Sequence, residues 1–123
     1  MEKVYDVAIL GAGPGGLTAG IYAKRAGLDV VIIEKGVVGG AVATTYEVAN
    51  YPGFTKISGA ELSQKMLEHA QSLNIEFIWD EVKKVVPKGE DKVVECYKQT
   101  IKPSFLTLAP KPKMRTFALI VCL

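Results

Sequence analysis

The chain has 123 residues and a mass of 13.3 kDa, with 49% apolar residues, 23% charged residues and a mean hydropathy of +0.20. That is enough for one globular domain, and it excludes collagen-like, coiled-coil and disordered chains. The net charge of +2 hides a division: residues 1–95 hold 10 cations and all 13 acids, whereas residues 96–123 hold five cations and no acid.

Val4–Leu10 is aliphatic with little alternation, as expected of a strand buried on both faces. Asp6 interrupts its apolar run and no cleavage region follows, so Met1–Leu10 does not read as a signal peptide. Gly11–Gly16 breaks the strand, and residues 14–26 read as a helix with Ala19, Gly20 and Ala23 on a small-residue face. Gly27 stands where a left-handed cap suits glycine. Asp29–Ile33 is a second aliphatic strand closed by Glu34. Strand, glycine turn, helix and strand in about 30 residues form a βαβ unit, for which a right-handed, parallel crossover is the rule.

Residues 36–57 have no periodicity and are expected to form a long loop, functional or disordered. Ser58-Gly-Ala-Glu61 has the spacing of a capping box, and Leu62, Met66, Ala70 and Leu73 follow at helical spacing, predicting a helix over 58–73. Ile75, Phe77 and Trp79 alternate as a third strand, with Trp79 expected in the core. Val82–Val86 and Lys92–Tyr97 flank a turn-rich pentapeptide and predict a hairpin over 82–97. His69 and Lys83-Lys84 read as surface residues. No apolar run exceeds seven residues (Phe117–Leu123), against the ~18 a spanning helix needs. The only cysteines, Cys96 and Cys122, give neither a disulfide framework nor metal spacing, so a reducing, cytoplasmic setting is expected.

Gly11-Ala-Gly13-Pro14-Gly15-Gly16 fits G-x-G-x-x-G, a weak signal alone. Here a strand precedes it, a helix follows, and an acid ends the next strand, which is the setting that dinucleotide binding requires. Gly11 permits the tight turn, Gly13 lets the backbone approach a pyrophosphate, and Gly16 allows close helix–strand contact. Helix-terminal amides then favour a diphosphate. Glu34 is placed to accept hydrogen bonds from both ribose hydroxyls, which disfavours a 2′-phosphate and hence NADP at this site. The plainer alternative is a glycine-rich turn in an ordinary parallel α/β protein.

Gly11–Glu34 resembles the N-terminal FAD fingerprint of flavoproteins with two dinucleotide-binding domains. Gly39-Gly40-Ala-Val-Ala-Thr-Thr-Tyr-Glu-Val-Ala-Asn50-Tyr-Pro52-Gly53-Phe resembles the flavin-embracing loop of low-molecular-weight bacterial thioredoxin reductases, which are FAD-dependent pyridine nucleotide-disulfide oxidoreductases. The resemblance runs from about Val4 to about Val94. It implies that Gly11, Gly13, Pro14, Gly15, Gly16, Glu34 and Lys35 hold the ADP half of FAD. It places Gly39, Gly40 and Ala41 along the pyrophosphate and ribityl path, although many members carry Gln at the position of Ala41. Thr45 and Asn50 would reach the cofactor near its isoalloxazine end, and Glu81–Val82 would meet the adenine through backbone groups.

The implied architecture is α/β, an incomplete Rossmann-like FAD-binding fold with a parallel sheet and a small β-hairpin. The implied chemistry is electron transfer from NADPH or NADH to flavin and then to the disulfide of a thioredoxin-like protein, in a complete parent that is expected to act without nucleic acid or membrane and that the resemblance allows to be a homodimer. This sequence contains no Cys-x-x-Cys, no second G-x-G-x-x-G and no Gly-Asp pair, and Thr107-Leu108-Ala109-Pro110 stands where the family has an Ala-Thr-Gly turn. Residues 1–95 are therefore expected to be a partial FAD-binding domain, and residues 96–123 an out-of-frame or unrelated tail. No residue reads as a catalytic acid, base, nucleophile or metal ligand. The alternatives are a non-catalytic module binding FAD, NAD or ADP-ribose, and an inert truncated product.

Overall fold

A computed structural model describes residues 3–88 and 91–108. The predicted βαβ unit is present as β1 (Lys3–Leu10), α1 (Pro14–Arg25) and β2 (Val30–Glu34). After the long loop come α2 (Gly59–Ser72), β3 (Glu76–Trp79), and the predicted hairpin, β4 (Val82–Lys88) and β5 (Asp91–Cys96). A strand not anticipated, β6 (Thr100–Leu108), completes a six-stranded sheet of order β3-β2-β1-β6-β5-β4. The β3-β2-β1-β6 part is parallel, and the β6-β5-β4 part is antiparallel.

Both helices have the termini their residues require. Pro14 starts α1 at a position where a missing N–H is no loss. Gly27, at φ +85°, follows the α1 C-cap in the left-handed region. Ser58 Oγ accepts the Glu61 N–H at 3.1 Å, a cap worth about 1 kcal/mol. The small-residue face of α1 lies against the sheet: a Cβ at Gly20 would stand 2.8 Å from Ile32 Cδ1.

The core has two layers. Val7, Ile9, Val30 and Ile32 pack with Leu17, Ile21, Leu62, Met66 and Ala70 of the two helices. On the opposite face, Tyr5, Ala8, Val31, Ile33 and Ile78 pack with Val94, Cys96 and Ile101. Full burial of each such Val, Leu or Ile stabilises by roughly 1.5–3 kcal/mol. Tyr5 and Val7, two residues apart on β1, belong to different layers, and between them the Asp6 and Val7 N–H groups both donate to Asp29 O (3.0 and 3.1 Å).

Chain connectivity forces the sheet to curl. β3 and β4 lie at opposite ends of the strand order, yet only Asp80 and Glu81 join them. Three Cα steps reach at most about 11 Å, whereas the edges of a flat six-stranded sheet would be about 24 Å apart. The antiparallel end therefore folds back: the Tyr97 N–H donates to Glu81 O at 3.2 Å, and the Lys98 N–H to Asp80 Oδ2 at 2.8 Å.

The sheet continues past the change of composition near residue 95, since β6 pairs in parallel with β1 from Lys3–Ile101 to Leu10–Leu108. One expectation needs correction. Trp79 is not core: it stacks on Phe77 at 5.5 Å between ring centroids but is 50% exposed, because β3 is an edge strand. His69, Lys83 and Lys84 are exposed, as expected. The expected terminal segment beyond Leu108, with Cys122, lies outside the described residues. No helix among those described is long and apolar enough to cross a membrane.

Candidate functional site

The site forms at the carboxyl ends of β1 and β2, where the glycine turn enters α1. Gly11 donates its N–H to Ile33 O at 2.8 Å and holds φ +109°, a conformation that side chains strain against. Gly16 is required by close approach, since a Cβ there would stand 2.0 Å from Gly11 O. Gly13 differs: it is extended (φ −77°, ψ −179°), and a Cβ on it would meet nothing within 4 Å. Its freedom from a side chain serves the space in front of it, not the packing behind.

The long loop supplies the facing wall. Its first part is a 3-10 helix, Gly40–Thr44, and its second is pinned by a Val48–Ile57 bridge. A Cβ on Gly40 would have Gly13 Cα as its nearest neighbour, at 4.0 Å, and a Cβ on Gly13 would meet nothing within 4 Å, so the two glycines lie side by side and border an open space that side chains would enter. Gly39 is buried instead. Its N–H donates to Ala12 O at 2.8 Å, and a Cβ on it would collide with Ser63 of α2. Gly39 thus fastens the loop to the turn, while Gly40 borders the open space.

Glu34 ends β2 with both carboxylate oxygens engaged: the Ala12 N–H donates to Oε1 at 3.0 Å and the Gly36 N–H to Oε2 at 2.8 Å. Each oxygen retains a lone pair for a ribose hydroxyl. Lys35 is exposed and lies 3.9 Å from Glu81, a loose, solvated pair. Thr45 donates its hydroxyl to Ala41 O at 3.1 Å, and Thr44 does the same at 2.9 Å, so this polar edge is held by the loop's own backbone. Asn50 is exposed on the loop. Pro14 and Gly15 are half-buried in the first turn of α1.

At the other end of the site, Glu81 donates its N–H to Asp80 Oδ1 at 2.7 Å and accepts the Tyr97 N–H through its carbonyl. Val82 is half-buried at the start of β4. The amides of Ala12 and Gly36, and the buried carboxylate of Asp80, are site features that residue spacing does not reveal. Among the described residues no cluster of His, Cys, Asp or Glu is arranged to hold a metal.

This geometry fits a dinucleotide. The open space bordered by Gly13 and Gly40, the amides opening α1, and a carboxylate at the end of β2 suit a pyrophosphate and its adjoining ribose. The model of the pyridine nucleotide-disulphide oxidoreductase family matches residues 5–108. The chain belongs to that family. It is 45% identical over 108 residues to the thioredoxin reductase of Bacillus subtilis, covering 88% of this chain and 34% of that protein. Against the thioredoxin reductase of Listeria monocytogenes the identity is 46% over the same shares. The crystal structure of thioredoxin reductase from Streptococcus pyogenes superposes with a TM-score of 0.86 at 37% identity, covering 96% of this chain and 39% of that one.

The chain thus spans about a third of the length of the relatives it matches. It corresponds to the FAD-binding portion of these oxidoreductases, and FAD is the cofactor of that portion. The family match continues past residue 95 to the end of β6.

Proposed function

We propose that this chain binds FAD through its ADP half, with the pyrophosphate in the open space in front of Gly13 and Gly40, the adenosine ribose on Glu34, the amides of α1 beside the pyrophosphate, and Val82 at the adenine. The open space that a side chain on Gly13 or Gly40 would enter carries the reading. Lys35, Gly39, Ala41, Thr45 and Asn50 then frame the cofactor without acting as acids, bases or nucleophiles. Bound flavin would supply hydride and electron transfer, and the chain's own residues would position it. In a parent carrying a nicotinamide domain and a dithiol, electrons would pass from NADPH or NADH through the flavin to the disulfide of a thioredoxin-like protein. A homodimer in the cytoplasm is the expected setting. The separate, out-of-frame origin expected for residues 96–123 is kept as a proposal only beyond residue 108, where the family match ends, and sequencing of the coding DNA tests it.

A nucleotide-binding module with no disulfide chemistry of its own is the second reading. It is favoured by one observation: Cys96 and Cys122 are 26 positions apart and form no Cys-x-x-Cys. The visible spectrum of the purified protein, before and after incubation with FAD, tests the first reading. Flavin absorbance that survives gel filtration supports it. Loss of all flavin, together with no calorimetric signal for ADP, overturns it. Turnover of thioredoxin with NADPH, in a preparation free of host reductase, would overturn the second.

A further inference from the structure

We propose that Asp80 is a positioning residue for the adenine end of this site, an inference that rests on the nucleotide reading above. The Asp80 side chain is buried, at 7% exposure, yet it lies in the two-residue link between opposite edges of the sheet. Its Oδ1 accepts the Glu81 N–H at 2.7 Å and its Oδ2 accepts the Lys98 N–H at 2.8 Å. Its own N–H donates to the carbonyl of Glu34 at 3.0 Å. One residue therefore ties together the end of β2, the entry to β4 and the turn between β5 and β6.

A nucleoside whose ribose sits on the Glu34 carboxylate extends its base past the end of β2, toward residues 80–82, because β3 pairs beside β2 with Glu34 opposite Trp79. Glu81 has its N–H on Asp80 and its carbonyl on Tyr97, which leaves Val82 as the backbone edge to read the base. The Asp80 carboxylate is itself committed to two amides, so it acts through Val82. It sets the distance and angle between the ribose acceptor and the base-reading edge.

The test is calorimetric titration of ADP and of inosine diphosphate into the full chain, the Asp80→Asn variant and the Asp80→Ser variant. Inosine replaces the 6-amino donor of adenine by a carbonyl acceptor, so the ratio of the two affinities reports how well the base is read. The unaltered chain should prefer ADP by about tenfold, the value of one well-placed hydrogen bond. Asn turns one acceptor into a donor facing an N–H, and Ser reaches only the nearer amide; both should bring the ratio close to one while circular dichroism keeps its folded form. An unchanged ratio in folded variants overturns the proposal and leaves the nucleotide reading standing, as does equal affinity of the unaltered chain for the two ligands. Unfolding of both variants overturns it by making Asp80 a determinant of folding alone. Binding of neither ligand by the unaltered chain removes the nucleotide reading and the proposal together.

Discussion

Ala12 donates its backbone N–H to Glu34 Oε1 at 3.0 Å, so the acid at the end of β2 is fastened to the glycine turn it is expected to serve. Glu34 therefore has a role in the turn besides the one we propose toward a ribose. Glu34→Gln keeps one acceptor oxygen and loses the charge. A charge-assisted hydrogen bond is worth about 1.5–3 kcal/mol, so ADP-ribose affinity should fall by about tenfold or more. Glu34→Arg should move preference toward ADP-ribose bearing a 2′-phosphate. Calorimetry of both ligands against each folded variant checks this, and equal affinities in all three proteins would reduce the motif to a structural turn.

The two glycines Gly13 and Gly16 separate binding from folding. A methyl at Gly16 collides with Gly11 O, and backbone cannot yield cheaply, whereas a methyl at Gly13 enters open space. Gly16→Ala should destabilise the chain by about 1–3 kcal/mol, as overpacking does. Gly13→Ala should leave the melting temperature unchanged or slightly raised, yet lower FAD or ADP affinity at least tenfold by occupying the space we propose for the pyrophosphate. Parallel thermal melts and titrations decide it; full nucleotide affinity in Gly13→Ala would place the pyrophosphate elsewhere.

Much of this fold is legible in the amino-acid sequence, and the parts that are not share a cause. The first βαβ unit, the capped helix α2 and the hairpin are written in local periodicity and in glycine and serine spacing. Gly11, Gly16 and Glu34 stand out because their side chains, or lack of them, answer a local backbone demand, and Gly13 stands out by its spacing alone. β6 is hidden because its residues lack the glycine and acid pattern that precedes them, and because Pro103 argues against a central strand. Yet Pro103 is fully buried opposite Tyr5, held by neighbours distant in sequence. Backbone donors such as the Ala12 amide have no sequence signature at all. Asp80 looks like any polar residue after a strand until the curl of the sheet brings Lys98 to it.

The Gly39–Ser63 contact gives a test of how the loop is fastened. Ser63 Oγ is buried with no hydrogen-bond partner, and it occupies the space a Gly39 side chain would need. Ser63→Ala removes an unsatisfied hydroxyl and should leave stability unchanged or raise it by about 1 kcal/mol. Gly39→Ala should destabilise by about 1–3 kcal/mol through overpacking, on top of its strained φ of +99°. The Ser63→Ala change should not rescue Gly39→Ala, because Ser63 Cβ would itself lie 2.5 Å from the added carbon. Denaturant melts of the three variants measure this, and rescue in the double variant would show that the hydroxyl alone limits the approach.

Cys96 makes stability depend on alkaline pH. Its thiol is buried in the layer opposite the helices, and burial, aided by the Asp80 charge, pushes its pKa above the ordinary thiol value. In the unfolded chain the thiol ionises near its ordinary value of about 8.5. Between that value and the higher folded one, the unfolded state binds fewer protons, so stability falls as pH rises. Below about pH 8 both states hold a neutral thiol and the dependence vanishes. In a Cys122→Ser background, urea melts from about pH 7 to 10 should show this alkaline decline, and Cys96→Ala should flatten it while shifting stability by a constant offset. The same burial should make Cys96 react with an aromatic disulfide reagent far more slowly in the folded protein than in urea. Equal rates in the two states, or an alkaline decline as steep in Cys96→Ala, would show that the thiol is accessible and that the curled end of the sheet does not close over it.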